Sequence, residues 1–595
     1  MRGVPIQRKC GAGNGVIIAF ESPEVNDSES DGWKLIRRSY QNFYRNAFHC
    51  LIGKVASNKS ATGRGTDRQF ERTDEMLTFN RRIPVIFASI WLSVFLLELL
   101  VTSYVCNGHF VFTLDDPYIH LAVADHILSG GYGVNGSEYS SPSSSIIWPY
   151  FVALTEALQL GVFGPLLINA IAAFATVVSL LCFLESIGFL DDRRERIFSY
   201  AIALLAVFIT SAIALPMTGM EHSVHVWASV VTFVGLAGAA RGQPPGAVCF
   251  VALVLLPLIR FEGMAFALAA IGGFAFLGQR RFAALAAVTI LCSLGAYFVL
   301  MASRGLPLLP SSVLLKSHIA EQAYAGSSAF GAVLQHLLVS LGSPYGRRLI
   351  ILGLAIACGA WILRADRRAF AVCIVVLIAI GAHLAFGEYD WFHRYEVYII
   401  ALAALALLYV TAEVGRLLDV AQRSVMRMAV ALLIAFASLP YVLAAIQTPL
   451  AARNIYDQQY QMSIFAQRLY RQPVAVNDLG LVAYKNPNFV LDLWGLGSEK
   501  VRRAKLLGEF GPVQMAALAE EYNVGLVMIY DSWFPLGVSS SWKKIAVLHT
   551  DHVTAAVGEV AFYMTPAADT QRVATALTAF KNLLPSRDNL ELVGR

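Results

Sequence analysis

The chain has 595 residues, of which 56% are hydrophobic and 15% charged, with a formal net charge of +5. Together with a mean hydropathy of +0.57, this excludes an ordinary soluble globular protein and points to a polytopic membrane protein. Its eight cysteines lie mostly within apolar segments and form no CxxC pair, which argues against a disulfide framework or zinc site, and no nucleic-acid partner is expected.

Residues 1–82 are polar and lack sustained periodicity, and they read as a cytoplasmic extension whose best helical stretch is Trp33 to Ile52. Met76 precedes Arg81 and Arg82 and would make a workable translation start, so the residues before it are expected to be dispensable. No cleavable signal peptide is visible ahead of the first long apolar stretch. From Ile83 to Ile446, about eleven apolar segments of roughly 15–25 residues are expected to cross the bilayer. Arg81 and Arg82 keep the chain ahead of the first segment in the cytoplasm, which puts the loop after Cys106 outside.

That first external loop, 107–145, carries Asp115 and Asp116. Pro117 suits the first turn of a helix, Tyr118, Ile119, Leu121, Ala122 and Ile127 recur at helical spacing, and Ser129-Gly130-Gly131 ends it. Local context alone makes Asp116 a helix cap and both acids solvated. Against that, a carboxylate pair at the lip of a membrane segment is costly unless water, a cation or a substrate receives it. Ile146 to Leu160 reads as a helix lying in the outer leaflet. The later segments form tight hairpins, with external turns at Met217–His222, Arg260–Gly263 and Glu388–Arg394 and a longer external loop from Ser303 to Arg348. An odd number of crossings leaves residues 447–595 outside. Pro473 to Val476, Phe489 to Leu491 and Val524 to Tyr530 read there as buried strands, with Val513 to Tyr522 helical. The expected fold is a polytopic α-helical membrane domain over 83–446 followed by an extracytoplasmic α/β domain.

Most basic residues fall on cytoplasmic turns. The external exceptions are Arg260, Arg304, Lys316, Arg347, Arg348 and Arg394, and a lipid-linked phosphate is the partner their chemistry suits. The plainer reading pairs them with Glu221, Glu262, Glu388 and Asp390 or with anionic headgroups. Glu221 and Glu262 sit at hairpin tips, where each either holds an arginine or contacts a polar substrate. His120, His126, His222, His225 and His393 are candidate metal or proton-transfer groups, although a hydrogen-bonded wall residue is the commoner role. Trp148, Tyr150, Trp391, Tyr395 and Tyr398 read as interfacial anchors.

Taken in order, these segments resemble the GT-C integral-membrane glycosyltransferases, especially those similar to the mycobacterial terminal β-arabinofuranosyltransferase. The matching residues are Asp115-Asp116-Pro117-Tyr118-Ile119, Gly130-Gly131-Tyr132-Gly133 and the Ser140-Ser141-Pro142 turn before Trp148. Thr218-Gly219-Met220-Glu221, Arg260-Phe261-Glu262-Gly263, Pro310-Ser311-Ser312 with Lys316, and Asp390-Trp391 with Arg394-Tyr395 follow. Val476-Asn477-Asp478-Leu479-Gly480 and Leu491-Asp492-Leu493-Trp494-Gly495-Leu496 complete the series. Phe261, where the family's turn carries Pro, and the long N-terminal extension depart from the pattern. The resemblance implies a polyprenyl-phosphate-sugar donor, a cell-envelope glycan or lipid acceptor, and inverting transfer at a bacterial cytoplasmic membrane, with the C-terminal domain periplasmic. It makes Asp115 the general base and Asp116 its positioning partner, with a divalent ion (Mg2+, Mn2+ or Ca2+) at the pair as an open alternative. Lys316, Arg394 and Arg260 would stabilise the leaving phosphate, and Glu221, His222, Glu262, Asp390 and Tyr118 would complete the substrate site.

The competing reading is a transporter or flippase of a lipid-linked or anionic substrate. Such proteins usually show broken helices, midplane polar residues and internal repeats. Here the charged residues cluster on one side, and no repeat is visible.

Overall fold

A computed structural model describes residues 82–189, 196–316 and 328–593. The expected helix at 33–52 and most of the charged turn at 191–196 lie outside them. The helices are α1 (Arg82–Val105), α2 (Asp116–Leu128), α3 (Trp148–Ala157), α4 (Phe163–Ser186), α5 (Arg196–Ile209), α6 (His222–Ala240), α7 (Ala247–Ile259) and α8 (Gly263–Phe276). They continue with α9 (Arg280–Ser303), α10 (Ser311–Lys316), α11 (Ala329–Gly342), α12 (Pro344–Ile362), α13 (Arg367–Phe386), α14 (Val397–Gly415) and α15 (Val420–Tyr470).

Eight of them, α1, α4, α6, α9, α12, α13, α14 and α15, are long and apolar enough to cross a membrane. The chain is a polytopic helical membrane protein. The other three expected crossings, α5, α7 and α8, are apolar helices of 14, 13 and 14 residues. Each is about 20 Å long, short of a hydrocarbon core of about 30 Å. α7 and α8 stop early because their connecting turn carries Arg260 and Glu262, whose charges must meet partners inside the helical body. The most enclosed spans are α14 and α6, which pack on each other.

The helix that leads out of the helical body runs past its expected end. The sequence suggests a final crossing that stops at Ile446, yet α15 is 51 residues long and runs on to Tyr470, its last turns wound partly as π-helix. It delivers the chain directly into a six-stranded sheet of order β2-β1-β3-β5-β4-β6. β1 (Val474–Val476), β2 (Val490–Asp492) and β3 (Leu526–Ile529) are parallel and match the expected strands. β4 (Lys543–His549), β5 (Glu559–Met564) and β6 (Asn589–Leu592) extend the sheet antiparallel. Charge marks all three and hides them from a search for purely apolar runs: Lys543 and Lys544 open β4, Glu559 opens β5 and Glu591 lies within β6.

Side chains alternate across the sheet, and both faces are covered, as a parallel core requires. Val474, Val476, Leu526, Met528 and Phe562 join Phe465 of α15 and Phe580 in a core continuous with that of the membrane body. Ala475, Leu491, Val527, Ile529 and Tyr563 face the other way, against Val501, Met515 and Ala519.

Candidate active site at the seam between membrane body and sheet

The first loop is clamped to the sheet at three points. Asp115 lies immediately before α2 but does not cap it. Its Oδ2 instead accepts the Gly480 N–H at 2.6 Å and its Oδ1 the Leu481 N–H at 2.8 Å. Further along, Asn135 pairs with the edge of β2, accepting from Val490 N–H and donating to its carbonyl. Glu138 accepts the Glu499 N–H at the start of the next helix of the sheet layer. Two acids of the loop thus satisfy orphan N–H groups at helix starts in the outer layer, where such donors favour negative charge.

The approach is close. A Cβ on Gly480 would stand 2.1 Å from the Asp115 carbonyl oxygen and 2.7 Å from Oδ2, so only glycine fits there. Gly480→Ala is expected to cost about 1–3 kcal/mol as an overpacked contact. It should also make the sheet layer more sensitive to limited proteolysis in detergent; wild-type resistance would sink this reading.

Asp115 is 5% exposed. Burial and the facing Asp478 carboxyl push its pKa well above the ordinary carboxylate value, with the Leu481 and Gly480 N–H groups opposing. Asp478 follows β1, while Tyr530 follows the adjacent β3. The chain leaves these two strands in opposite directions, from β1 to its neighbour β2 and from β3 past β5 to β4. Ligand sites of open α/β sheets form at such a switch point, beyond the strands' carboxyl ends, and here the Asp115 side chain occupies it.

On the membrane side, the turns preceding α6 and α14 converge. Glu221 is fully buried and accepts from Arg260 Nη1 at 2.7 Å and from the Ser144 hydroxyl at 3.0 Å. Arg260 also donates to both oxygens of Glu262, at 2.6 and 3.2 Å. Burial opposes both charges of that pair, yet each holds the other ionised, drawing Glu262 down to about 2. Arg394, 1% exposed, donates through Nη2 to Asp116 at 2.5 Å and to the Tyr395 hydroxyl at 3.0 Å. Both guanidinium groups lie against the Tyr395 ring, Arg260 at 5.2 Å and Arg394 at 4.9 Å from its centre. His222 meets the same ring edge-on. Arg394 Nε and Nη1 have no hydrogen-bond partner among the described residues.

The backbone that aims Arg394 inward is unusual. Asp390, Trp391, Phe392 and His393 have φ of 69°, 49°, 65° and 58°, a left-handed run that costs L-residues about 1–2 kcal/mol each. Such a turn persists only where its surroundings hold it. Here the Asp390 N–H donates to Glu396 Oε2 at 2.9 Å, and burial pushes the Glu396 carboxyl from its ordinary 4.5 to about 8. In the unfolded chain this group ionises near 4.5, whereas the native carboxyl keeps its proton until about 8. Its contribution to stability is therefore fully present below the lower value and lost as pH rises through the higher. Between about pH 5 and 8.5 the thermal midpoint of the detergent-solubilised protein is expected to fall, by a contribution on the order of a few kcal/mol. Glu396→Gln should flatten that slope; equal slopes in both proteins would refute the assignment.

The site thus gathers Asp115, Asp116, Glu221, His222, Arg260, Glu262 and Arg394. Asp390 lends its backbone. Tyr118 stays in the core, its hydroxyl accepting the Phe112 N–H. Lys316 closes α10, and its side chain lies outside the described residues. Trp148 and Tyr398, read as interfacial anchors, are buried instead. Trp148 opens α3, which packs on α2, and Tyr398 pairs through its hydroxyl with His383. The Met217–His222 turn is enclosed, because the first loop folds over it: Thr113 N–H donates to the Met217 carbonyl. Asp116 faces a guanidinium and Asp115 faces N–H donors, so a divalent ion at the pair would have to displace both sets of partners. Among the described residues, no group of three His, Cys, Asp or Glu side chains is gathered for a metal.

Sequence reasoning left Asp478, Glu396, Asn135 and Glu138 without a role. Asp478 alone carried a signal, as a carboxyl directly after a buried strand.

Comparison with known proteins gives a family match only in the outer layer. A family described as a domain of unknown function (DUF8728) matches residues 453–567, from late α15 to just past β5. No curated protein matches the chain. The fold is similar to the apo oligosaccharyltransferase of Archaeoglobus fulgidus, with 14% identity over 77% of this chain and 73% of that chain and a TM-score of 0.44. It is also similar to ArnT from Cupriavidus metallidurans bound to undecaprenyl phosphate, with 13% identity over 82% of this chain and 99% of that chain and a TM-score of 0.47.

Proposed function

We propose that the chain is a GT-C-type membrane glycosyltransferase that moves a sugar, with inversion, from a polyprenyl-phosphate donor to a glycan or lipid acceptor outside the cytoplasm. The observation that carries this is the pair of enclosed guanidinium groups on Tyr395. Arg260 is neutralised by Glu221 and Glu262, whereas Arg394 keeps two nitrogens without partners beside a carboxylate pair. That is an arrangement suited to a phosphate, which Arg engages through parallel N–H bonds.

In the transfer step Asp115 takes the proton of the acceptor hydroxyl as its oxygen bonds to the anomeric carbon. A carboxylate has about four lone-pair directions. Two N–H groups and Asp478 engage Asp115, which leaves one direction for the acceptor. The bond from the anomeric carbon to the phosphate oxygen breaks, and Arg394, with Lys316 and Arg260, stabilises the departing charge. Asp116, held by Arg394, orients the pair, and His222 and Tyr395 wall the site. The polyprenyl chain lies in the membrane beside the first loop. A pentose donor of the arabinofuranosyl type and a periplasmic location for the sheet layer are the finer readings, supported by the sequence resemblance and the placement of basic turns.

Purified full-length protein, given a panel of synthetic polyprenyl-phosphate sugars with oligosaccharide and lipid acceptors, is expected to turn over at least one donor. Donor binding without turnover across the panel would overturn the enzyme in favour of transport.

A further inference from the structure

We propose that Asp478, supplied by the sheet layer, is a positioning residue of the active centre that shares a single proton with Asp115 and returns that proton to solvent after each transfer. The proposal rests on the reading of Asp115 as the general base.

Its ground is geometric. Asp115 accepts the N–H groups of Gly480 and Leu481, which directly follow Asp478 and Leu479 in the chain, so the Asp478 carboxyl faces that of Asp115 within the enclosed seam. Two carboxyls in such contact cannot both be ionised, so the resting pair holds one proton. The two are not equivalent. Both oxygens of Asp115 face backbone N–H groups, which favour its ionised form. Asp478 is the more open of the two to solvent. Its Oδ2 accepts from Gln459 Nε2 at 2.7 Å and from the Tyr530 hydroxyl at 3.0 Å, and the Tyr530 hydroxyl in turn reaches Gln458.

The groups facing the pair can be named from every side. Tyr118 on α2 and the neighbouring Asp116 come from the membrane body, with Arg394 held on Asp116. Gln459 on α15 and Tyr530 after β3 come from the outer layer. No cation pairs directly with Asp115 or Asp478 among the described residues.

The protons balance over a cycle. The resting pair carries one proton and one negative charge. Taking the acceptor proton makes both carboxyls neutral while the lipid phosphate leaves with the electrons of the broken bond. Release of one proton through Asp478 to water restores the resting pair.

The test reads the proton directly. In pH-dependent infrared difference spectra of the detergent-solubilised full chain, where Glu396 also gives a carboxylic C=O band up to about pH 8, the pair should add a separate buried C=O component at neutral pH. Its loss should move to lower pH both in Asp115→Asn and in Asp478→Asn, because burial still raises the remaining carboxyl but the facing acid no longer does. A component whose loss stays at the wild-type pH in Asp478→Asn overturns the proposal. Where Asp478→Asn does not fold, Gln459→Met removes a donor to the ionised Asp478 and should move the loss of the band to higher pH; no movement overturns the proposal equally. Kinetics separate it from the base assignment. With the most active donor of the panel, Asp478→Asn should lower kcat about tenfold or more, leave the donor KM unchanged and shift the acid limb of the rate profile to higher pH, because the shared proton no longer eases the first ionisation. Loss of activity in Asp115→Asn together with a wild-type profile in Asp478→Asn would remove only the proposal. Full activity in Asp115→Asn would remove the base assignment beneath it.

Discussion

Asp115→Asn is expected to reduce transfer by about 10²–10⁴-fold, the range that positioned general bases supply, while the protein stays folded and binds donor. Asn keeps the size of the side chain, and its amide oxygen can still accept one of the two outer-layer N–H groups. What it cannot do is take a proton from the acceptor. The defect should therefore fall on kcat, with donor affinity retained. Undiminished turnover would pass the base role to Asp116, whose carboxylate lies next in the chain and is partly open, at 19% side-chain exposure.

Arg394→Lys should produce the second large loss, about 10²–10³-fold in kcat, comparable to removing one donor from an oxyanion site. The charge survives this change, so a purely electrostatic role would leave activity nearly intact. The planar fork does not survive it. Lysine offers a single ammonium point in place of guanidinium nitrogens that bind Asp116 and Tyr395 through one end and present Nε and Nη1 through the other. Donor analogues with an uncharged bridge in place of phosphate should bind wild type and Arg394→Lys alike. A selective weakening of the phosphate-bearing donor alone is the signature of direct contact, and equal weakening of both analogues would reduce Arg394 to a structural partner of Asp116.

Much of this arrangement was legible in the sequence because membranes punish misplaced charge. Arg260, Glu221, Glu262 and Arg394 stood out as charged residues next to apolar spans, and the structure brings all four together. The parallel strands were legible because strands buried on both faces are short apolar runs. The antiparallel half of the sheet was not, since a half-buried strand such as Lys543–His549 mixes charge with apolar residues. The length of α15 was hidden for a related reason. Hydropathy marks where the bilayer ends, whereas this helix continues through Gln458 and Gln459, polar residues that find their partners in the sheet. Asp478 could be placed after a strand, but its meeting with Asp115 joins residues 363 positions apart in the sequence, and no local pattern encodes that.

The clamp on the first loop also sets an order of assembly. Asp115 and its N–H donors are separated by 365 residues, so at roughly 5–20 residues per second the loop waits about 20–70 s for its partners to be synthesised. During that interval the acidic loop stands uncapped at the membrane surface, beside spans that are already inserted. A nascent or prematurely terminated chain that stops before β1 therefore carries the arginine cluster and the aspartate pair without the layer that seats them. Such fragments are expected to be inert, because the centre is complete only once the last fifth of the polypeptide has been made.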